Sequence, residues 1–188
     1  YTDAGGHTDY YALDGQSMRK QFLRTPVEIA RISSRFNLKR KHPILNKIRA
    51  HKGVDYAAST GTPVKSTANG KIVHRGKKGG YGNTIIVQHG SKYSTLYAHL
   101  SKYRGGLKKG SRIKQGQVIG YVGSSGLATG PHLHYELRVN GVHRDPLRVK
   151  LPGAEPLDKK YLDDIKAQAG SMLARLDLVR PVQVASSE

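Results

Sequence analysis

Pro131-His-Leu-His-Tyr-Glu-Leu-Arg-Val139 is the stretch that decides how this chain is read. Polar and apolar residues alternate along it, and in a β-strand successive side chains point to opposite faces. His132, His134, Glu136 and Arg138 therefore share one face, and Leu133, Tyr135, Leu137 and Val139 share the other. The apolar face supplies a core, so the polar face looks into a cleft or into solvent. Two histidines two residues apart on one strand can address a single site. Taken alone, the same alternation also describes an ordinary solvated strand face, which antiparallel sheets commonly carry.

The β signature extends outward in both directions. From Ile32 to about Val149 short apolar runs alternate with turns, as in residues 62–68, 71–74, 83–88, 93–98 and 117–122. Most of the 22 glycines lie in those turns, for example Gly79-Gly80, Gly105-Gly106 and Gly123. Short, closely spaced strands with Gly-rich turns predict a mainly β fold, an antiparallel sheet, sandwich or barrel, and not βαβ units. Ahead of it, Tyr10 to Leu23 holds two strand-like runs about Asp14-Gly15, a hairpin signal. Leu23 to Ile32 is interrupted by Pro26 and reads as a linker with a helical turn. Beyond Pro152-Gly153, Leu157, Leu162, Ile165, Ala169, Met172, Leu173 and Leu176 recur at helical spacing. They predict an amphipathic helix from about Leu157 to Leu176. The expected division is a hairpin and linker over 1–31, a β domain over 32–151, and a helix with its tail over 152–188.

At 188 residues the chain suits one domain with additions at its ends. It has no cysteine, so no disulfide framework and no thiolate is available, and any metal must be held by His, Asp or Glu. Lys and Arg total 32 against 13 Asp and Glu, a formal net charge of +19. Such a field draws polyanions: nucleic acid, an anionic membrane surface or an acidic wall polymer. No nucleic-acid signature accompanies the charge, and a nucleic-acid reading leaves the histidines without a role. No stretch approaches the roughly 20 apolar residues of a membrane span. The chain starts at Tyr1 with neither an initiator Met nor a signal-peptide pattern, and so reads as a processed piece of a longer parent.

Two further segments carry chemistry. His51 and Asp55 are four apart, and Gly53 with the strand-like Val54-Asp-Tyr-Ala57 argues for extended chain, where even separation keeps both on one side. On their own they read as a surface salt link in a Lys-rich loop. Together with His134 they make three ligands and leave the fourth tetrahedral position open, the arrangement of a catalytic zinc, whereas structural zinc is closed by four. Zinc lowers the pKa of water from about 15.7 toward ~7. His99, at the end of Leu96-Tyr97-Ala98, and His132 are then free to orient or deprotonate water and to stabilise an oxyanion. His7, His42, His74, His89 and His143 lack comparable context and read as surface or turn residues.

The three segments His51-x-x-x-Asp55, Tyr97-Ala-His99-Leu100 and Ser125-Gly-Leu-Ala-Thr-Gly-Pro-His132-Leu-His134-Tyr-Glu136 together resemble the M23, LytM/lysostaphin-type, zinc peptidases. The resemblance covers about Ile32 to Leu151. It implies a LytM-type β domain, one zinc per chain on His51, Asp55 and His134, and His99 with His132 as the catalytic pair. Ser33 to Leu45 is similar to the Gram-negative branch, which implies a periplasmic or cell-envelope endopeptidase acting on peptidoglycan stem peptides, at D-Ala–meso-diaminopimelate cross-links. Glu136 follows the family's aromatic-acidic ending, as a group behind the metal or facing substrate. The family also includes non-catalytic modules that bind the wall or activate an amidase, but this chain keeps every ligand position. It includes latent enzymes too, in which an inhibitory segment fills the groove. Residues 1–30 and the C-terminal helix are candidates for that part.

Overall fold

The alternating stretch forms one of the two eight-residue strands among the described residues, and its neighbours set the site. The computed structural model describes residues 1–2, 8–18, 21–28, 30–40, 50–151, 153 and 156–179. These fall into two compact units, one of Phe22–Leu151 and one of Tyr1–Gln21 with Pro152–Glu188.

The larger unit holds eleven strands: β1 (Arg31–Ser34), β2 (Val54–Ala57), β3 (Pro63–Lys65), β4 (Gly70–Lys77), β5 (Asn83–His89), β6 (Tyr93–Ala98), β7 (Leu100–Tyr103), β8 (Arg112–Ile113), β9 (Val118–Val122), β10 (His132–Val139) and β11 (Val142–Arg144). One sheet runs β1-β2-β10-β6-β5-β4-β8 with β11 on β10, and a smaller one runs β3-β9-β7. Every pairing is antiparallel, as the short strands and tight turns anticipate. The β10–β11 connection is Asn140-Gly141, with φ of 50° and 77°. Two left-handed residues make the turn whose twist matches its strands, and Asn-Gly is the pair that tolerates it best. Its consequence is a fixed register that sets Arg138 opposite His143.

Leu133 and Tyr135 of β10 are buried, as the alternation predicts, in one apolar cluster with residues of both sheets, including Val54, Tyr56, Ile85, Tyr97, Leu100, Ile119 and Val122. Burying side chains of this size is worth about 1.5–3 kcal/mol each, so the cluster fixes the register of β10 and with it which residues face the other way. Two of the tyrosine hydroxyls on this apolar side are paired, whereas that of Tyr56 is buried without a partner among the described residues. Tyr97 and Tyr135 both bond Thr67 Oγ1, at 3.1 and 3.0 Å, and Thr95 donates to Tyr97 at 3.0 Å.

The expected helical turn in Leu23 to Ile32 does not occur among the described residues. The backbone there is spent on the neighbouring chain: Leu23 N–H bonds the Thr67 carbonyl at 2.7 Å, and the Pro26 carbonyl accepts from Lys65 at 2.8 Å. Phe22 and Val27 are buried. Bonded to Lys65, the Pro26 carbonyl is not free to close a helical turn.

In the smaller unit, Tyr11 and Ser17 form an antiparallel bridge about Asp14-Gly15, with Gly15 at φ 79°. The helix α1 runs Leu162–Val179 and begins later than periodicity suggested, because Asp158 caps a 3-10 turn at Lys159–Tyr161 ahead of it. Its first turn carries Asp163 and Asp164, which suit the positive end of the helix dipole.

Candidate active site

Three adjacent strands bring the predicted residues together. In the β10–β2 register His134 stands opposite Asp55, and in the β10–β6 register it stands opposite Ala98, the residue before His99. His51 precedes β2 and is pinned by a two-way backbone pair with Asn37, at 3.0 and 2.8 Å. His99 has φ 58° and joins β6 in the large sheet to β7 in the small one. A left-handed conformation is strained for a residue with a Cβ, and it is held here by His99 N–H to the Tyr81 carbonyl at 2.9 Å. All five residues line one cleft of about 830 Å³, together with Tyr81, Leu127, Thr129 and Glu136.

Asp55 Oδ1 lies 2.7 Å from His134 Nδ1 and 3.1 Å from His51 Nε2, and the two ring nitrogens are 3.3 Å apart. Their other ring atoms decide what these three present. His51 Nδ1 bonds the Arg35 carbonyl at 2.8 Å, and a carbonyl can only accept, so that nitrogen carries hydrogen and Nε2 is a bare lone pair. His134 Nε2 lies 3.2 Å from Glu136 Oε1 and donates to it, which leaves Nδ1 as the atom facing Asp55. Two imidazole lone pairs and a carboxylate oxygen thus converge with nothing positive between them. Such a set repels itself unless a proton or a cation sits at its centre, and N, N and O ligands suit a divalent metal.

The protonation of the metal-free protein says the same. Burial pushes the Asp55 carboxyl up, yet hydrogen bonds and charge from His134 and His51 hold it well below the usual carboxylate range. Burial pulls His134 down, but its bonds to Asp55 and Glu136 raise it to about 9. The proton that these values describe occupies the place a metal would take.

His132 and His99 present themselves differently. His132 Nδ1 bonds the Gly130 carbonyl at 2.8 Å, and its Nε2 is 3.9 Å from Asp55 Oδ1. His99 Nδ1 bonds the Ser125 carbonyl at 2.7 Å. The two rings stand 4.7 Å apart, each held through Nδ1 by a backbone carbonyl and each offering Nε2. Burial, chiefly, keeps the His99 imidazole below its ordinary value, so it is neutral at pH 7 and able to accept a proton. The loop that carries both carbonyls, between β9 and β10, is locked to the turn about Gly80. Leu127 N–H bonds the Gly80 carbonyl at 2.8 Å, and an ideal Cβ on Gly126, at φ 76°, would lie 2.4 Å from Gly82 N.

Behind the metal ligands stands Glu136, with no exposed surface. It accepts from Tyr81 OH at 2.6 Å, His134 Nε2 at 3.2 Å, Arg138 at 3.2 and 2.5 Å, and His143 Nε2 at 3.1 Å. Burial alone would raise its carboxyl, and these donors hold it at about 2. His143 is held below its ordinary value by burial, with Arg138 and Lys52 acting in the same direction against Glu136. His143 is therefore part of this network, not a bare turn residue. His89 is buried too, bonded to the Asn69 carbonyl and to Thr95 Oγ1 at 2.7 Å each. Residues 1–30 and 41–45 include positions outside the described residues, as do His7 and His42. Tyr81 had no signal beyond an aromatic between glycines.

Residues 49–146 match the family model for peptidase family M23. Over 169 residues the chain is 41% identical to the peptidoglycan DD-endopeptidase ShyC of Vibrio cholerae, covering 90% of this chain and 39% of that protein. It is 44% identical over 179 residues to the DD-carboxypeptidase/endopeptidase Mpg of Neisseria meningitidis, covering 93% and 40%. The chain thus spans about two-fifths of the length of these relatives. Among solved structures, a zinc-containing peptidase from Vibrio cholerae superposes with a TM-score of 0.68 at 38% identity, covering 81% of this chain and 46% of that one.

Proposed function

The chain belongs to peptidase family M23, and from that premise we propose that it is a zinc-dependent endopeptidase of the cell envelope. It cleaves peptide cross-links of peptidoglycan, at the D-Ala–meso-diaminopimelate bond, with residues 32–151 as the peptidase domain and the periplasm as its compartment. The observation that carries this reading is the convergence of His51 Nε2, His134 Nδ1 and Asp55 Oδ1, all within 4.8 Å of one another, on the floor of an open cleft. The names of the relatives support the substrate: ShyC and Mpg are peptidoglycan DD-endopeptidases or carboxypeptidases. The zinc-containing neighbour supports the identity of the metal, and our reading places one ion per chain on those three residues.

When bound, zinc supplies a water of lowered pKa and a Lewis acid for the scissile carbonyl. The chain's own residues do the rest. His99 and His132 each offer Nε2 to the attacking water, and one of the two accepts its proton. The imidazole that has taken it becomes a donor, to the developing oxyanion or to the departing amine. Gly130 and Ser125 carbonyls keep both rings in the tautomer this requires. The net charge of +19 holds the protein on an anionic sacculus.

The test is digestion of defined muropeptide dimers by the zinc-loaded protein, with and without chelator, followed by mass spectrometry. Chelator-sensitive release of monomers is the expected result. If the loaded chain releases none, and still none after residues 1–30 or the C-terminal helix are trimmed, the protein is not this endopeptidase.

A further inference from the structure

The charged side chains of the cleft divide into two groups. Asp55 and Glu136 are fully engaged, with the histidine ligands and with Tyr81, Arg138 and His143. Arg40 and Lys52 line the same cleft, are exposed, and have no anionic partner among the described residues. Both cations also sit close to His51. Arg40 donates to Ser34 Oγ at 3.4 Å, which in turn lies 3.2 Å from His51 Nδ1, and Lys52 follows His51 directly. The mutually bonded loops about Gly80 and Leu127 contribute no charged side chain to the cleft, and Leu127 is 74% exposed there. The cleft therefore carries its free cations beside His51, and the wall formed by residues 80–81 and 127–131 carries no charged side chain.

We propose that Arg40 and Lys52 form a carboxylate subsite that binds the free carboxylate of a diamino diacid in the substrate's stem peptide. The proposal rests on the peptidase reading above. A guanidinium and an ammonium, with the Ser34 hydroxyl beside Arg40, supply charged donors for a carboxylate, and an open cleft lets the anion arrive without full desolvation of the cations. The uncharged wall takes the residue on the other side of the scissile bond, whose side chain is then uncharged. Two carboxylates in such a substrate have the right chemistry: that of the diamino diacid and the one at the stem peptide's C-terminus. The diacid's lies next to the amine of the scissile amide, and so within the reach of groups that flank His51.

The experiment compares three cross-linked dimers: one with both carboxylates free, one with the diacid carboxylate converted to carboxamide, and one with only the terminal carboxylate amidated. Wild-type chain, Arg40→Gln and Lys52→Gln are measured with each, and Arg40→Lys serves as a charge-keeping control. The wild type should favour the free dimer over the diacid amide by roughly tenfold in kcat/KM, mostly through KM, and should ignore terminal amidation. Each Gln variant should lose most of that preference, Arg40→Lys should keep part of it, and added salt should erode it. Equal kcat/KM for the free and diacid-amidated dimers, a preference set by the terminal carboxylate, or a preference retained in both Gln variants would each overturn the subsite. Absence of any turnover refutes the peptidase reading instead. In that event binding of the same peptides, followed by NMR titration, decides the subsite: discrimination lost in the Gln variants supports it, and no discrimination overturns it.

Discussion

Glu136→Gln is the substitution whose consequence the geometry specifies most fully. The change keeps shape and volume but replaces four-fold acceptance by one carbonyl and one NH2 group. Oε1 now receives Tyr81 and His134, and Oε2 receives Arg138 and His143. Whichever way the amide turns, its NH2 must face two donors. Arg138 cannot become an acceptor, whereas the Tyr81 hydroxyl can rotate. The carbonyl therefore takes the Arg138 side, and the NH2 faces His134 Nε2. For that contact to be a hydrogen bond, Nε2 must give up its proton, and the neutral ring then carries hydrogen on Nδ1, the atom aimed at Asp55 and the metal.

Metal binding in this variant must first reverse that tautomer against a misdirected amide. Loss of such a supporting group typically weakens metal binding roughly 10- to 100-fold, which corresponds to about 1.4–2.8 kcal/mol. The assay is competition for zinc against a chromophoric chelator at pH 7.5, with circular dichroism to verify folding. A folded Glu136→Gln protein whose zinc affinity stays within about twofold of wild type refutes the reasoning, since the tautomer of His134 would then not depend on this carboxylate.

Three other outcomes are expected. Gly53→Ala places a Cβ 2.4 Å from the Tyr135 carbonyl and 2.8 and 2.9 Å from His134 Cε1 and Nε2, so it should weaken zinc binding though position 53 ligates nothing; unchanged chelator competition counts against it. His132→Ala should retain zinc and lose turnover by roughly 100-fold or more, while His134→Ala should lose zinc itself; metal analysis of both proteins separates the roles. The raised pKa of His134 stabilises the metal-free fold fully below the ordinary value of 6.5, and that contribution is lost as pH rises through about 9, an effect of roughly 3 kcal/mol. Thermal melts should therefore show the gain in Tm on adding zinc growing from pH 6.5 to 9, and a constant gain would contradict it.

Much of the site was legible because strands impose parity. Placing His132, His134 and Glu136 on one face needed only alternation, and the even spacing of His51 and Asp55 needed only extended chain. The Arg138–His143 pairing was legible as well, since Asn140-Gly141 announces a two-residue turn that sets those residues opposite each other. The role of His143 is not legible in the same way, because its partner is a carboxylate on the neighbouring strand, two residues from the one that faces it. His89 carried no such signal. Its burial comes from Asn69 and Thr95, which reach it from other strands and turns. Tyr81 was equally hidden, because a 3-10 turn delivers it and only the packing of two glycine loops says where that turn lies.

The four site histidines differ in what holds them, and the difference has a consequence for how the site can fail. His51, His99 and His132 each give Nδ1–H to a backbone carbonyl, of Arg35, Ser125 and Gly130 respectively, and each therefore offers Nε2. Backbone acceptors cannot be removed by substitution and cannot change protonation. His134 is held the opposite way round, through Nε2 to a side chain, and offers Nδ1. It is also the residue that β10 places between Asp55 and Glu136, with a carboxylate on either side of its ring. A strand face can supply that second carboxylate only at the position two residues on, which is where Glu136 stands. The dependence of the metal centre on Glu136 thus follows from placing a ligand mid-strand, where backbone carbonyls are already committed to the neighbouring strands.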